Sequence, residues 1–238
     1  MRDFSDVFKK ALREFDIALD EVAFERFCRY DELLIEWNEK MNLTALTEPR
    51  DVAVKHFIDS LMLLKYADIP QGVSMIDVGT GAGFPGLAIK IARPDIRLTL
   101  LDSLQKRLSF LDEVCEQLGL EDVVTVHGRA EEGAREILFR ENYDVAVARA
   151  VASLKVLAEY CLPYVGVGGR FIAMKGKSAE EELEEAKNAI GELGGRVGEK
   201  HLFSLGDAGE RGIIVIDKVA PTPEKYPRKS KQIKKKPL

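Results

Sequence analysis

Cysteine, histidine and tryptophan are scarce in this chain, at three, three and one among 238 residues. Cys28, Cys115 and Cys161 have no C-x-x-C spacing and leave an odd count, which suggests a reducing compartment. The three histidines lie far apart, so no histidine or cysteine metal site is expected. No run of eighteen apolar residues occurs, and MRDFSDVFKK at the N-terminus has no apolar stretch of signal-peptide type. A soluble, cytoplasmic protein with no membrane contact is therefore expected. The phosphate-binding G-x-x-x-x-G-K-S pattern fails at Gly176-Lys177-Ser178, because Phe171 stands where the first glycine should be. No tyrosine is followed by lysine four residues later, so the Tyr-x-x-x-Lys pair of hydride-transfer enzymes is missing.

Charge is present but unevenly spread. Residues 221–238, PTPEKYPRKSKQIKKKPL, carry seven Lys or Arg against one Glu and four of the nine prolines. The remainder holds 28 basic and 39 acidic residues, so a body of about −11 carries a tail of +6. Such a tail is expected to be extended and mobile until it meets a partner, and a basic arm on an acidic body points to RNA or another polyanion.

The stretch MIDVGTGAGFPGLAIKIARP at 75–94 reads as strand, tight turn and helix. Glycine belongs at such a turn because it reaches positive φ without steric cost and lets a ligand lie against the backbone. Gly81, Gly83 and Gly86 fit the G-x-G-x-x-G of dinucleotide binding, while Asp77, Gly79, Gly81 and Gly83 fit the D-x-G-x-G-x-G turn of S-adenosylmethionine enzymes. A pyrophosphate needs free N–H groups in the first helical turn, and Pro85 supplies none there. Local chemistry therefore favours S-adenosylmethionine, with an NAD-linked oxidoreductase as the alternative.

Around this turn, residues 4–39 are expected to be helical, with Phe27, Tyr30, Leu34 and Trp37 on one apolar stripe. A second amphipathic segment after Pro49 faces Phe57, Ile58, Leu61 and Leu64 inward, and completes a helical cap over residues 1–66 that also carries Lys55 and His56. Residues 67–220 alternate strand and helix, with strands at 96–101, 123–127, 143–148 and 170–174 and a final hairpin from 196–204 and 212–219. That period predicts a mostly parallel sheet binding its ligand at the carboxyl ends of the strands. Asp102 ends the second strand where an acid would hold ribose hydroxyls, Leu104, Leu108, Leu111, Cys115 and Leu118 form the next helix stripe, and Ser178 with Glu181 reads as a capping box. Lys175 and Lys177, after the fifth strand, and Arg228 and Lys229, in the tail, are candidates for RNA backbone contacts.

MNLTALT at 41–47, HFIDSL at 56–61, DVGTGAGFPGLAIKI at 77–91, RAVASLKVL at 149–157, GGRFIAMKG at 168–176 and the ending YPRK...KKKPL together resemble the RsmG family, formerly called glucose-inhibited division protein B. The resemblance spans nearly the whole chain in family order. It implies an α/β S-adenosylmethionine-dependent methyltransferase (Rossmann-like) fold, with a seven-stranded sheet whose last strand is antiparallel. It further implies methylation of N7 of guanine 527 in 16S ribosomal RNA, on naked RNA or the small ribosomal subunit; a monomer is expected. Carried over by position, Gly79, Gly81 and Phe84 of the turn, Ala130 and Glu131 after the third strand and Arg149 after the fourth would contact the cofactor, and Asp102, Ser103 and Leu104 would hold the ribose. Guanine N7 presents an unprotonated lone pair, so no catalytic base is required. Two other acceptor chemistries fit less well: cytosine C5 needs a cysteine nucleophile, whereas Cys115 and Cys161 sit on helix stripes, and the Asn/Asp-Pro-Pro-aromatic turn of amine methylation is replaced by Arg149-Ala150-Val151. A non-catalytic RNA-binding assembly factor that keeps the fold and uses the tail remains a further alternative.

Overall fold

A computed structural model of the chain describes residues 4–238. The chain opens with α1 (Phe4–Glu14) and α2 (Glu21–Asn38); α3 (Pro49–Asp51) then passes through a π-helical stretch, Val52–Ile58, into α4 (Asp59–Tyr66). Next come β1 (Ser74–Val78), α5 (Gly86–Ala92), β2 (Arg97–Asp102), α6 (Gln105–Leu118), β3 (Val123–His127) and α7 (Ala130–Gly133). β4 (Tyr143–Arg149), α8 (Leu154–Cys161), β5 (Val165–Lys175), α9 (Ala179–Glu192), β6 (Gly195–Ser204), β7 (Glu210–Lys218) and α10 (Ser230–Lys235) complete it.

The seven strands form one sheet in the order β3-β2-β1-β4-β5-β7-β6. Pairings from β3 through β5 are parallel, and β7 runs antiparallel to both β5 and β6, as expected for the last strand. After β3 the chain returns to the other side of β1. The order therefore reverses between β1 and β4, and a crevice opens at the carboxyl ends of these strands.

Central strands are apolar on both faces because both faces are covered. Met75, Val145, Val147, Ile172 and Val215 join a core with the cap helices, α5 and α6. Their neighbours Ile76, Ala146, Ala148, Ala173 and Ile214 join a second core with α8, α9 and the tail. The cap thus shares its core with the sheet. Its centre is Phe57, fully buried, whose ring meets those of Phe4, Phe8, Phe27, Tyr30 and Phe84 at 4.9–5.7 Å.

Three local expectations need correction. The helix foreseen over 4–39 is broken: Asp16 takes φ +53, and Asp20 caps a new helix by accepting from the Ala23 N–H at 2.7 Å. Leu104 leaves the α6 stripe and is exposed, while Phe110 and Val114 join it. The Ser178–Glu181 capping box does not form; the Ser178 hydroxyl donates to Glu182 instead, at 3.0 Å.

The tail, expected to be extended, is docked. Its prolines supply no N–H to a ladder, so its carbonyls need outside donors. Arg140 donates to Thr222 O and Tyr226 O at 2.8 and 2.9 Å, and Arg135 donates to Pro227 O at 3.0 Å. Arg228 grips Glu159, which is fully buried, through both its backbone N–H and its guanidinium, and Ile233 is buried in the second core. The buried Lys218 ammonium fixes the start of the tail by donating to Leu162 O and pairing with Glu141.

Replacing Phe57 with alanine is expected to cost about 3–5 kcal/mol of unfolding free energy in urea titrations. Because cap and sheet share a core, fluorescence of Trp37 in α2 and far-UV circular dichroism should report one transition. Two separated transitions would contradict the shared core.

Candidate active site

The crevice at the strand-order reversal is a cleft of about 460 Å³, within the range of small-molecule sites. The loop after β1 forms its floor. Gly79 and Thr80 donate N–H bonds to Leu101 O at 2.8 and 3.1 Å, which ties the loop to the end of β2. Gly79 and Gly81 have φ of +76 and +62. A Cβ on Gly81 would meet no atom within 4 Å, so it would project into open space; one on Gly79 would crowd Val151 at 2.9 Å.

The other two glycines have a different purpose. At Gly83 a Cβ would strike the Tyr30 hydroxyl and lie 2.9 Å from Leu111, and at Gly86 it would lie 2.7 Å from the Asp77 Cβ. They allow close packing against the cap and against Asp77. The Asp77 carboxylate sits fully buried at the start of α5, where Oδ2 accepts from the Gly86 N–H and the Thr80 hydroxyl, each at 2.8 Å. Burial pushes its pKa up to about 6, and these two donors limit the rise. The position a pyrophosphate would occupy is already taken by an acid, which removes the dinucleotide reading.

Asp102 is buried on the opposite wall. Its carboxylate accepts from the N–H groups of Gly81 and Leu104, both at 2.9 Å, and pairs with Arg107 at 3.3 Å. It therefore fixes the loop's conformation as well as bordering the cleft.

Arg149 closes the far end. Its guanidinium donates to Lys55 O at 3.0 Å, to Asp59 Oδ2 at 2.9 Å and to His56 Nδ1 at 3.2 Å, and lies 5.1 Å from the Phe84 ring centre. The His56 ring stacks on Phe84 at 4.5 Å, and its Nε2 lies 2.9 Å from Thr44 Oγ1. Since Nδ1 accepts from Arg149, the network assigns the proton to Nε2, which donates to Thr44. Burial and the neighbouring Arg149 charge lower the His56 pKa to about 3, so the ring is neutral. Asp59 is neutralised from two sides, by Arg149 and by Arg211 at 3.2 Å.

Of the residues expected at the cofactor, Gly79, Gly81, Phe84, Asp102, Ser103, Ala130, Glu131 and Arg149 line this cleft. Leu104 does not; it contributes only its N–H to Asp102. The RNA candidates divide. Lys177 and Lys229 are exposed, whereas Lys175 is buried with its ammonium on Glu182 and Ala152 O, both at 2.7 Å, and Arg228 is engaged by Glu159. A free cationic role for Lys175 and Arg228 is thus replaced by internal pairing. Thr44, Arg107, Tyr160, Ser230 and Lys234 also line the cleft without having been foreseen, and no local pattern marks them.

Two outcomes follow from this geometry. Gly81→Ala should keep its melting temperature within a few degrees, because left-handed alanine costs about 1–2 kcal/mol, yet lose most of its affinity for S-adenosylmethionine. Gly86→Ala should instead lower the melting temperature strongly. Thermal scans with calorimetric titration check both, and equal stability losses would contradict the assignment. Separately, a histidine held neutral withholds its proton until pH approaches 3, so its stability contribution is complete above about pH 6.5 and is lost as pH falls from there toward 3. Denaturant unfolding of His56→Asn should therefore show a shallower loss than the parent between pH 6.5 and 4; identical slopes would count against the buried neutral ring.

The family model described as rRNA small subunit methyltransferase G matches residues 23–207. The ribosomal RNA small subunit methyltransferase G of Clostridium perfringens (strain 13 / Type A) is 48% identical over 236 residues, covering 99% of both chains. That of Alkaliphilus metalliredigens (strain QYMF) is 51% identical over 233 residues, covering 98% of both. Among solved structures, a SAM dependent methyltransferase from Aquifex aeolicus has a TM-score of 0.53 at 18% identity, over 71% of this chain and 93% of that one, a likeness of fold. With a glycine loop built for close ligand approach, a crevice at the strand reversal and relatives alike from end to end, the chain belongs to the ribosomal RNA small subunit methyltransferase G family.

Proposed function

We propose that this chain transfers a methyl group from S-adenosylmethionine to N7 of guanine 527 in 16S ribosomal RNA. The observation that carries the cofactor assignment is the open space over Gly81, bordered by Asp102 and Ser103 on one side and Ala130 and Glu131 on the other. The donor set agrees. The start of α5 is occupied by Asp77, which suits a cofactor without phosphate, and Gly79, Gly81, Phe84, Asp102, Ser103, Ala130, Glu131 and Arg149 would hold it. Arg149 Nη1 is shared among Lys55 O, His56 O and Asp59, and Nη2 gives one N–H to His56, which leaves Nε–H and the other Nη2 N–H for an anionic group.

S-adenosylmethionine supplies an electrophilic methyl group on a sulfonium. The protein's part is placement. A second hollow of about 390 Å³ adjoins the first and shares His56, Arg149 and Ala150 with it, which gives the acceptor base room beside the donor. Holding two reactants in attack geometry and excluding water is worth roughly 7–11 kcal/mol in good cases. Neither His56 nor Asp59 is poised as a base: His56 is neutral with both ring nitrogens hydrogen-bonded, and Asp59 is paired twice. An acceptor with a free lone pair, as at guanine N7, suits such a site. Lys177 and Lys229 are retained as RNA backbone contacts, with the small ribosomal subunit or its RNA as partner and the chain acting as a monomer.

Incubation with labelled S-adenosylmethionine and unmethylated small subunits should place one label at N7 of that guanine. Label at an exocyclic amine or at another nucleotide would overturn the assignment. Single-turnover rates should be level from pH 7 to 9, because no base must lose a proton; a tenfold rise per pH unit would reveal one.

A further inference from the structure

The cofactor cleft has a wall that the family model does not reach, since its match ends at residue 207. That wall is α10, which sets Ser230 and Lys234 into the cleft beside Tyr160 of α8, whose hydroxyl lies 3.3 Å from Ser230 Oγ. A helix of six residues cannot stand by itself in water. It is held by Ile233 in the second core and by the clamp of Arg228 on buried Glu159; Arg228 also donates to Lys236 O at 3.0 Å. Arg228 thus holds the segment at both ends of the helix and Ile233 holds it from beneath, but none of these contacts is a strand pairing, so the helix can lift without breaking the sheet.

The outer side of the same helix is cationic. Lys231, Lys235 and Lys236 are exposed, and among the described residues none of their ammonium groups has an acidic partner. On a body of net charge −11, this +6 segment is where a polyanion meets least repulsion, and it lies at the rim of the cleft.

We infer that residues 226–236 form a strap shared by two ligands, with Ser230 and Lys234 closing the cofactor cleft from inside while Lys231, Lys235 and Lys236 bind RNA phosphates from outside. RNA that holds the strap down raises cofactor affinity, and bound cofactor raises RNA affinity by the same factor, since coupling between two sites is reciprocal. This goes beyond the methylation reading but rests on the cleft being the S-adenosylmethionine site.

Calorimetric titration with S-adenosylhomocysteine, with and without a 16S ribosomal RNA transcript, tests it on the full-length protein. Lys234→Ala should weaken binding about five- to tenfold without RNA and leave the melting temperature unchanged. For the parent, RNA should tighten binding at least fivefold. The triple variant Lys231→Gln, Lys235→Gln, Lys236→Gln should match the parent without RNA but lose that gain. Parent-like affinity in Lys234→Ala, or no effect of RNA on the parent, would overturn the strap while leaving the cleft assignment intact. Failure of the parent to bind S-adenosylhomocysteine at all would remove the cleft assignment and the strap together.

Discussion

The Phe84 ring is the contact on which the arrangement depends. It ends the glycine loop, yet it is buried against the cap, stacked with His56 and Tyr30 at 4.5 and 5.4 Å, near Phe57 at 5.7 Å and beneath the Arg149 guanidinium. One side chain thus joins the cap, the loop and the end of β4. The Tyr30 hydroxyl adds a donor to Ala82 O, in the same loop. A loop that must leave open space over Gly81 cannot be rigidified from the ligand side, so it is held from behind. This makes the cap a support of the cleft although α1 and α2 contribute nothing to its lining.

Electrostatics follow the same division. Three carboxylates at the crevice are committed: Asp77 to the start of α5, Asp102 to Gly81, Leu104 and Arg107, and Asp59 to Arg149 and Arg211. Each fixes backbone or a neighbouring charge. Among the described residues, Glu131 borders the cleft without such a bond, which leaves its carboxylate to answer a polar ligand directly. Such an arrangement is organised to hold and orient a ligand.

Much of this was legible in the sequence because it is local. The apolar runs of β1, β2, β4 and β5 and the intervening helices follow from period alone, and the glycine loop announces itself by spacing. Pro85 correctly pointed away from a pyrophosphate, although the stronger reason, Asp77 on the Gly86 N–H, is a contact nine residues apart that spacing does not reveal. Long-range pairs were hidden. Lys175 and Arg228 read as free cations because Glu182 reaches Lys175 only through the way α9 folds back after β5, and Glu159 lies 69 residues from Arg228. Thr44, His56 and Arg149 meet only through the packing of the cap on the sheet, and Ser230 and Lys234 reach the cleft only because Arg135, Arg140 and Glu159 capture a tail that composition alone marks as disordered.

The central claim is that the backbone at Gly81 leaves a space shaped for S-adenosylmethionine. A crystal structure of the chain grown with S-adenosylhomocysteine tests it most directly. The account predicts density over Gly81, with the ribose against Asp102 and Ser103, the base near Ala130 and Glu131, and the cap unmoved. Ligand bound elsewhere, or Gly81 shielded by protein atoms in the complex, would contradict it.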